Sequence, residues 1–413
     1  MKLAVIFEGC PFDRKGLFNA VHERVKHLSR SCDFDIDVYC LHSRDNAFTR
    51  RVRRLPQVPF KEKVEIENIT YNMIWYKFSI IDEILTQKLY RSPCFYSRFI
   101  DKIATLFKRY DCISAHSYEG AVLAHKIWQE YKIPYYVSWH GSDIHTRPWK
   151  NPYLMKQTKM LLDDATMNFY VSDSLSRLGN KIAPTAPCQV LYNGVNQHFY
   201  KYTDATRKEL RTTMGIPNES KVIAYVGNFQ KVKNALSLPE IFCNIFSYSS
   251  SPIEFWIIGD GKLRRPLLKS MCLAAKKHKI SLKSPWKAEE YFSSARGKIV
   301  FWGNVSVGKM PDMMNCIDVL VVPSFNEGSS LVCAEAIKSG AAVVGSDVCG
   351  IPDIIGKDYV VPLNENFAHA IAIKAIKLLT EEPSQRLSAQ YDWDKTAQQE
   401  EAFLKRLNLN KKY

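Results

Sequence analysis

Two glutamates with seven residues between them, Glu327 and Glu335, lie in the stretch Val319 to Pro352, and their surroundings differ. Glu327 follows a β-branched apolar run, Val319 to Val322, and sits among Pro323, Ser324, Asn326 and Gly328. It is expected in a loop at the carboxyl end of a buried parallel strand, where open α/β sheets hold ligands. Glu335 is flanked by Leu331, Val332, Cys333, Ala334, Ala336 and Ile337, which read as a helix that Ser329 or Ser330 can cap and Gly340 closes. A carboxylate on so apolar a helix is costly unless hydrogen-bonded, and the hydroxyls of a ligand would satisfy it. Between the two, the amides of Gly328, Ser329, Ser330 and Leu331 form a helix N-terminus suited to a diphosphate. The spacing thus offers a carboxylate at a reacting end, donors for a diphosphate, and a carboxylate for a diol. The plainer alternative is a solvated Glu327 and a Glu335 bonded to some distant arginine.

Three further stretches could serve the same chemistry. The strand Val222 to Gly227 leads into Asn228-Phe229-Gln230-Lys231-Val232-Lys233, where two ammonium groups suit a phosphate. The strand Pro134 to Trp139 ends in His140-Gly141-Ser142-Asp143, placing an imidazole at a carboxyl edge, though a lone histidine there can equally be structural. The first strand, Lys2 to Phe7, leads through a loop to Gly16 and an amphipathic helix, Leu17 to Leu28; a plain strand-to-helix turn reads the same way.

These motifs together resemble the family 4 retaining glycosyltransferases of GT-B fold, of the bacterial surface-polysaccharide type. The resemblance is strongest over NEGSSLVCAEAIKSGAAVVGSDVCGIPDII, which carries that family's E-x7-E pair. It implies that Glu327 lies beside the donor sugar and that Glu335 holds the ribose. It further implies that His140 contacts the sugar, and that Gly16 and Lys233 approach the diphosphate. Where the family usually has an arginine this chain has Asn228, so one charge contact is absent and Lys231 is the nearest substitute. Metal independence and the absence of any cofactor beyond a nucleotide-diphosphate sugar also come from the resemblance.

The remaining sequence must position these groups. At 413 residues the chain is too long for one ordinary core, and strands alternate with helices throughout. The expected fold class is α/β, with two doubly wound Rossmann-like domains facing across a cleft. The acceptor-side domain is placed at 1–200, the nucleotide-sugar domain at 201–385, and a helix over 386–413 returns to the first. Groups from both domains would make closure part of assembling the site.

Eleven cysteines without a C-x-x-C pair fit reduced thiols, and no apolar run reaches membrane-spanning length. A cytoplasmic enzyme is expected, peripheral on the inner face of the cell membrane. The net charge of +15 suits anionic partners. Two segments bear on this. Arg44 to Lys63 is a basic run that reads as solvated loop or as an electrostatic foot. Tyr90 to Lys108 reads as one amphipathic helix with its apolar face in the core or on a membrane. The Lys-rich Ala274 to Gly297 reads as an insertion.

The expected partners are a nucleotide sugar, a glycan or lipid-linked saccharide acceptor, and an anionic membrane surface, with no nucleic acid. The alternatives are an inactive GT-B-fold protein that binds membrane or nucleic acid, or a sugar-nucleotide epimerase.

Overall fold

The computed structural model describes residues 1–12, 16–31, 33–43, 58–77, 79–290, 297–381 and 384–410. Arg44, Arg50, Arg51, Arg53 and Arg54 of the basic run lie outside them. The chain divides into two compact units, Met1–Gly194 with Asp392–Tyr413, and Val195–Tyr391.

The first unit is built on an eight-stranded sheet: β1 (Lys2–Glu8), β2 (Asp35–Ser43), β3 (Lys63–Ile66), β4 (Ile69–Tyr76), β5 (Cys112–His116), β6 (Tyr135–Trp139), β7 (Met167–Tyr170) and β8 (Cys188–Val190). Their order is β3-β4-β2-β1-β5-β6-β7-β8, parallel except where β3 pairs antiparallel with β4. Both faces are covered, which is why β1 is apolar on successive residues. Ala4 and Ile6 pack into a core with Ile100, Ala121 and Leu161, while Leu3, Val5 and Phe7 pack with Phe18, Val21 and Val25 on the other side. That second core also takes Phe403 and Leu404 from the C-terminal helix Trp393–Asn410. The chain passes itself closely at Gly194, where an added Cβ would sit 2.2 Å from the backbone nitrogen of Trp393.

The second unit has its own eight-stranded sheet: β9 (Lys221–Val226), β10 (Ile253–Ile258), β11 (Ser281–Ser284), β12 (Lys287–Glu290), β13 (Gly297–Gly303), β14 (Val319–Val322), β15 (Ala342–Ser346) and β16 (Val360–Val361). The order is β12-β11-β13-β10-β9-β14-β15-β16, parallel except for the β11–β12 hairpin. From β9 the chain builds outward one way through β10 and β13, then returns to lay β14 and β15 on the other side. The loops after β9 and β14 therefore flank the topological switch point, where such sheets bind ligands. In the first sheet the corresponding point lies between β1 and β5.

One sequence expectation is corrected. Tyr90 to Lys108 is not one helix: Tyr90 has φ of 53°, the helix proper is Cys94–Ala104, and a short 3-10 turn, Thr105–Phe107, follows. Its apolar face, with Tyr96, Ile100, Ile103 and Phe107, belongs to the core. The stretch read as an insertion begins inside helix Arg264–His278 and continues as the β11–β12 hairpin. Among the described residues, no helix is long and apolar enough to cross a membrane.

Candidate functional site

In the second unit the loop after β9 is fixed by close backbone approach. Gly259, at φ of +126°, stands so near Gly227 that a Cβ would lie 2.2 Å from its carbonyl oxygen. The amide of Phe229 donates to the Asp260 carbonyl at 3.0 Å, and that of Leu263 to Phe229 at 3.0 Å. The loop after β14, Pro323 to Ser330, is tied to this one where the Phe325 amide donates to the Val232 carbonyl at 2.8 Å. Ser346 Oγ donates to the Ser324 carbonyl and the Gly350 amide to that of Glu327, so β15 and its loop hold the same segment from the other side.

This bracing brings Lys233 and Glu327 together. Lys233 Nζ lies 2.6 Å from Glu327 Oε1, and Ser324 Oγ donates to the same oxygen at 2.8 Å. Glu327 is buried, not the solvated loop residue of the plainer reading. The ammonium expected on a diphosphate thus neutralises the carboxylate expected beside the sugar, at the switch point of the sheet. Asn228 is half-buried, its carbonyl accepting from Tyr225 Oη at 3.1 Å, and Lys231 is exposed.

The helix Leu331–Lys338 starts where expected, but neither serine caps it. Ser330 occupies the N-cap position without a side-chain cap bond, and the Ser329 hydroxyl is buried with no partner among the described residues. Of the four amides proposed as donors, that of Leu331 is already used, donating to the Ser329 carbonyl at 3.1 Å. Those of Gly328, Ser329 and Ser330 make no such backbone bond among the described residues. Glu335 is half-buried, and its carboxylate has no hydrogen-bonding or ion-pair partner among the described residues, so the distant arginine is not there. Burial pushes its pKa up to about 7.

In the first unit His140 is half-buried after β6 and is not alone. Its Nε2 lies 3.0 Å from Nδ1 of His116, the last residue of β5, and the two rings stack at 5.3 Å. Asp143, from the same motif, accepts from the amides of His140 and Gly141 at 3.2 and 2.7 Å, which locks the turn that presents the imidazole. Burial, and after it the nearby Arg24 guanidinium, lower the His140 pKa to about 3; the same two causes act on His116, with the His140 ring adding to them. Both rings are neutral at physiological pH. Arg24 is itself buried, and its Nε donates to Glu400 of the C-terminal helix at 2.5 Å. Tyr136 Oη donates to the other Glu400 oxygen at 2.6 Å.

Glu8, at the end of β1, accepts from Tyr76 Oη. Burial and the neighbouring Glu119 push its pKa up to about 8, while Arg147 bonds Glu119 at 2.5 Å. Gly16 opens helix Gly16–Leu28, and a Cβ there would meet nothing within 4 Å.

Sequence reasoning missed His116, Arg24, Glu400 and Glu8. His116 carried a usable signal, since it ends an apolar strand run as His140 does. Arg24 and Glu400 are 376 residues apart, and no spacing rule connects them.

Two family descriptions match the chain: Glycosyltransferase Family 4 over residues 14–199 and Glycosyl transferases group 1 over residues 220–381. A teichuronic acid biosynthesis glycosyltransferase of Bacillus subtilis, TuaC, is 25% identical over 63% of this chain and 59% of its own length. The serotype-specific mannosyltransferase WbdA of Escherichia coli is 26% identical over 60% of this chain and 32% of its own. The chain therefore spans from about a third to about three fifths of these curated relatives. Among solved structures, sucrose-phosphate synthase from Thermosynechococcus elongatus superposes with a TM-score of 0.71 at 16% identity, covering 99% of this chain and 100% of that one. Anabaena HepE in complex with UDP gives 0.70 at 14% identity, covering 98% and 100%.

Proposed function

From the premise that the chain belongs to the family 4, group 1 glycosyltransferases and has their GT-B fold, we propose that it is a retaining, metal-independent hexosyltransferase. In this reading it moves a sugar from a nucleotide-diphosphate donor to a hydroxyl of a glycan or lipid-linked saccharide during polysaccharide biosynthesis. The observation that carries the reading is the pairing of opposites on one helix and its loop. Glu327 is buried and neutralised by Lys233, while Glu335 is half-buried and its carboxylate has no partner among the described residues.

A ribose diol supplies the two donors that Glu335 lacks. The diphosphate lies at the open amides of Gly328, Ser329 and Ser330, where the Lys233 ammonium and the Ser329 hydroxyl add to them. When the bond from the anomeric carbon to the diphosphate breaks, negative charge grows on the leaving group. Donors already fixed in place stabilise that charge without reorganising. Glu327 faces the positive charge left on the sugar. His140, neutral and oriented by His116, hydrogen-bonds a sugar hydroxyl. Gly16 leaves space for a ligand beside its helix N-terminus. Work at the inner face of a membrane follows if the acceptor is lipid-linked, and the names of the relatives above, one in teichuronic acid biosynthesis, support that class of product.

A panel of nucleotide sugars, scored for thermal stabilisation and then for transfer in the presence of a chelator, tests the reading. Stabilisation by one nucleotide class and transfer unaffected by chelation are expected. No shift with any donor would refute it.

A further inference from the structure

Helix Ile80–Gln87 is built inside out. Its buried residues are Asp82 and Thr86, whereas Ile80, Ile81 and Ile84 are 63%, 53% and 43% exposed. The hydrogen bonds explain the inversion. The Asp82 carboxylate accepts from the amides of Phe95 and Tyr96 at 3.0 and 3.2 Å, capping helix Cys94–Ala104, whose own N-cap residue, Pro93, has no side chain able to do so. Asp82 also forms a capping box with Ser79, and the Thr86 carbonyl accepts from Asn151 Nδ2 at 3.1 Å. The polar side of the helix is therefore pinned to the unit, and the apolar side is turned outward. Leu89, Tyr90 and Phe95 extend the exposed apolar surface along the connecting turn.

An apolar ridge of this kind, contiguous and held in place by buried polar bonds, marks a contact surface and not scattered surface hydrophobicity. The charge of the surrounding sequence indicates what it contacts. Over Lys77 to Lys108 the exposed cations are Lys77, Lys88, Arg91, Arg98, Lys102 and Lys108, against two exposed acids, Glu83 and Asp101, of which Asp101 is paired with Lys126 at 2.8 Å. A second copy of the chain would set like charges against each other around the ridge.

We propose that the ridge is a membrane-docking surface. Ile80, Ile81, Ile84 and Leu89 enter the acyl boundary of a bilayer, and the surrounding Lys and Arg side chains lie against anionic headgroups. This names the surface for the membrane-facing enzyme proposed above and rests on that reading for its purpose, but its chemistry is independent of the donor site.

The test is co-sedimentation of the full chain with phosphatidylcholine vesicles, with and without phosphatidylglycerol. Wild type should bind the anionic vesicles in a salt-sensitive way. Ile80→Glu with Ile84→Glu should weaken that binding by at least about tenfold. Lys88→Glu with Arg91→Glu should weaken it several-fold and reduce its salt dependence. Both variants should keep the wild-type unfolding midpoint and nucleoside-diphosphate binding. Wild-type vesicle binding by the isoleucine variant would overturn the proposal, as would a wild-type dimer that this variant dissociates. Failure of donor binding with vesicle binding intact would instead sink the transferase reading and leave the surface standing.

Discussion

Both sheets end in polar clusters at their carboxyl edges, but the two differ in whether the protein itself satisfies their carboxylates. In the first cluster the buried groups left without a partner among the described residues are Arg24 Nη1 and Nη2 and the Ser117 and Ser138 hydroxyls. In the first unit Asp143 is held by two amides, His116 by His140, Glu400 by Arg24 and Tyr136, and Glu8 by Tyr76. In the second, Lys233 and Glu327 pair, but the Ser329 hydroxyl and the Glu335 carboxylate have no partner among the described residues. A cluster whose carboxylates are already bonded is a fixed wall. An open one retains capacity for a ligand that brings both anionic oxygens and hydroxyls. On this view, substitutions at Arg24, Glu400 and Glu8 of the first cluster should register mainly in stability, and those in the second cluster, and at His140, in ligand binding and rate.

The largest effect is expected at Glu327. Glu327→Ala should lower kcat by about 10²–10³ if the carboxylate faces charge that appears only in the transition state. A change confined to KM would show that it serves ground-state binding alone. Next comes the first unit's ion pair, in which both side chains are 2% exposed. Arg24→Met strands Glu400 and should cost roughly 3–5 kcal/mol in chemical denaturation, while Arg24→Met with Glu400→Leu should regain most of it. If the double variant is as unstable as the single one, the pair is not what holds the C-terminal helix. Lys233→Met should raise the dissociation constant for a nucleoside diphosphate about tenfold or more, since a charge-assisted bond contributes roughly 1.5–3 kcal/mol. An unchanged constant would mean that the lysine serves only Glu327.

Titration sharpens the contrast further. The lowered His140 pKa, about 3, lies below the ordinary value of 6.5, so the folded state binds this proton less well than the unfolded chain does. Its contribution to stability is complete above about 6.5 and is lost as the pH falls from there towards 3. His140→Gln should make that part of the stability profile shallower, leaving the share that His116 contributes, and an unchanged slope would place the loss elsewhere. Smallest of all, Glu8→Gln should change stability little at pH 7, because a carboxyl pushed up to about 8 is already mostly protonated there.

What the sequence revealed follows from the range over which its signals act. β1 and β14 were legible because a strand buried on both faces is apolar at successive positions, and helix Leu331–Lys338 because Gly340 ends it. The β3–β4 hairpin was not read. Its two turn residues, Glu67 and Asn68, both have positive φ, and Glu67 is an unusual residue for such a turn. Helix Ile80–Gln87 escaped because its buried face is the polar one, which inverts the pattern that marks helices in a sequence. The placement of Glu327 beside Lys233 required two loops 94 residues apart to be brought to one switch point, which strand order settles and spacing does not. The Leu331 amide was counted as a donor because a motif records residue types and not which amides already have acceptors.

The central claim, that Glu335 awaits a ligand diol, is tested most directly by calorimetric titration of wild type and Glu335→Gln with a nucleoside diphosphate between pH 6 and 8. With a free-protein pKa of about 7 and a carboxylate that accepts the diol, wild-type affinity should rise about tenfold across that range, while Glu335→Gln should bind more weakly and with little pH dependence. Equal affinities and parallel pH profiles for the two proteins would contradict it.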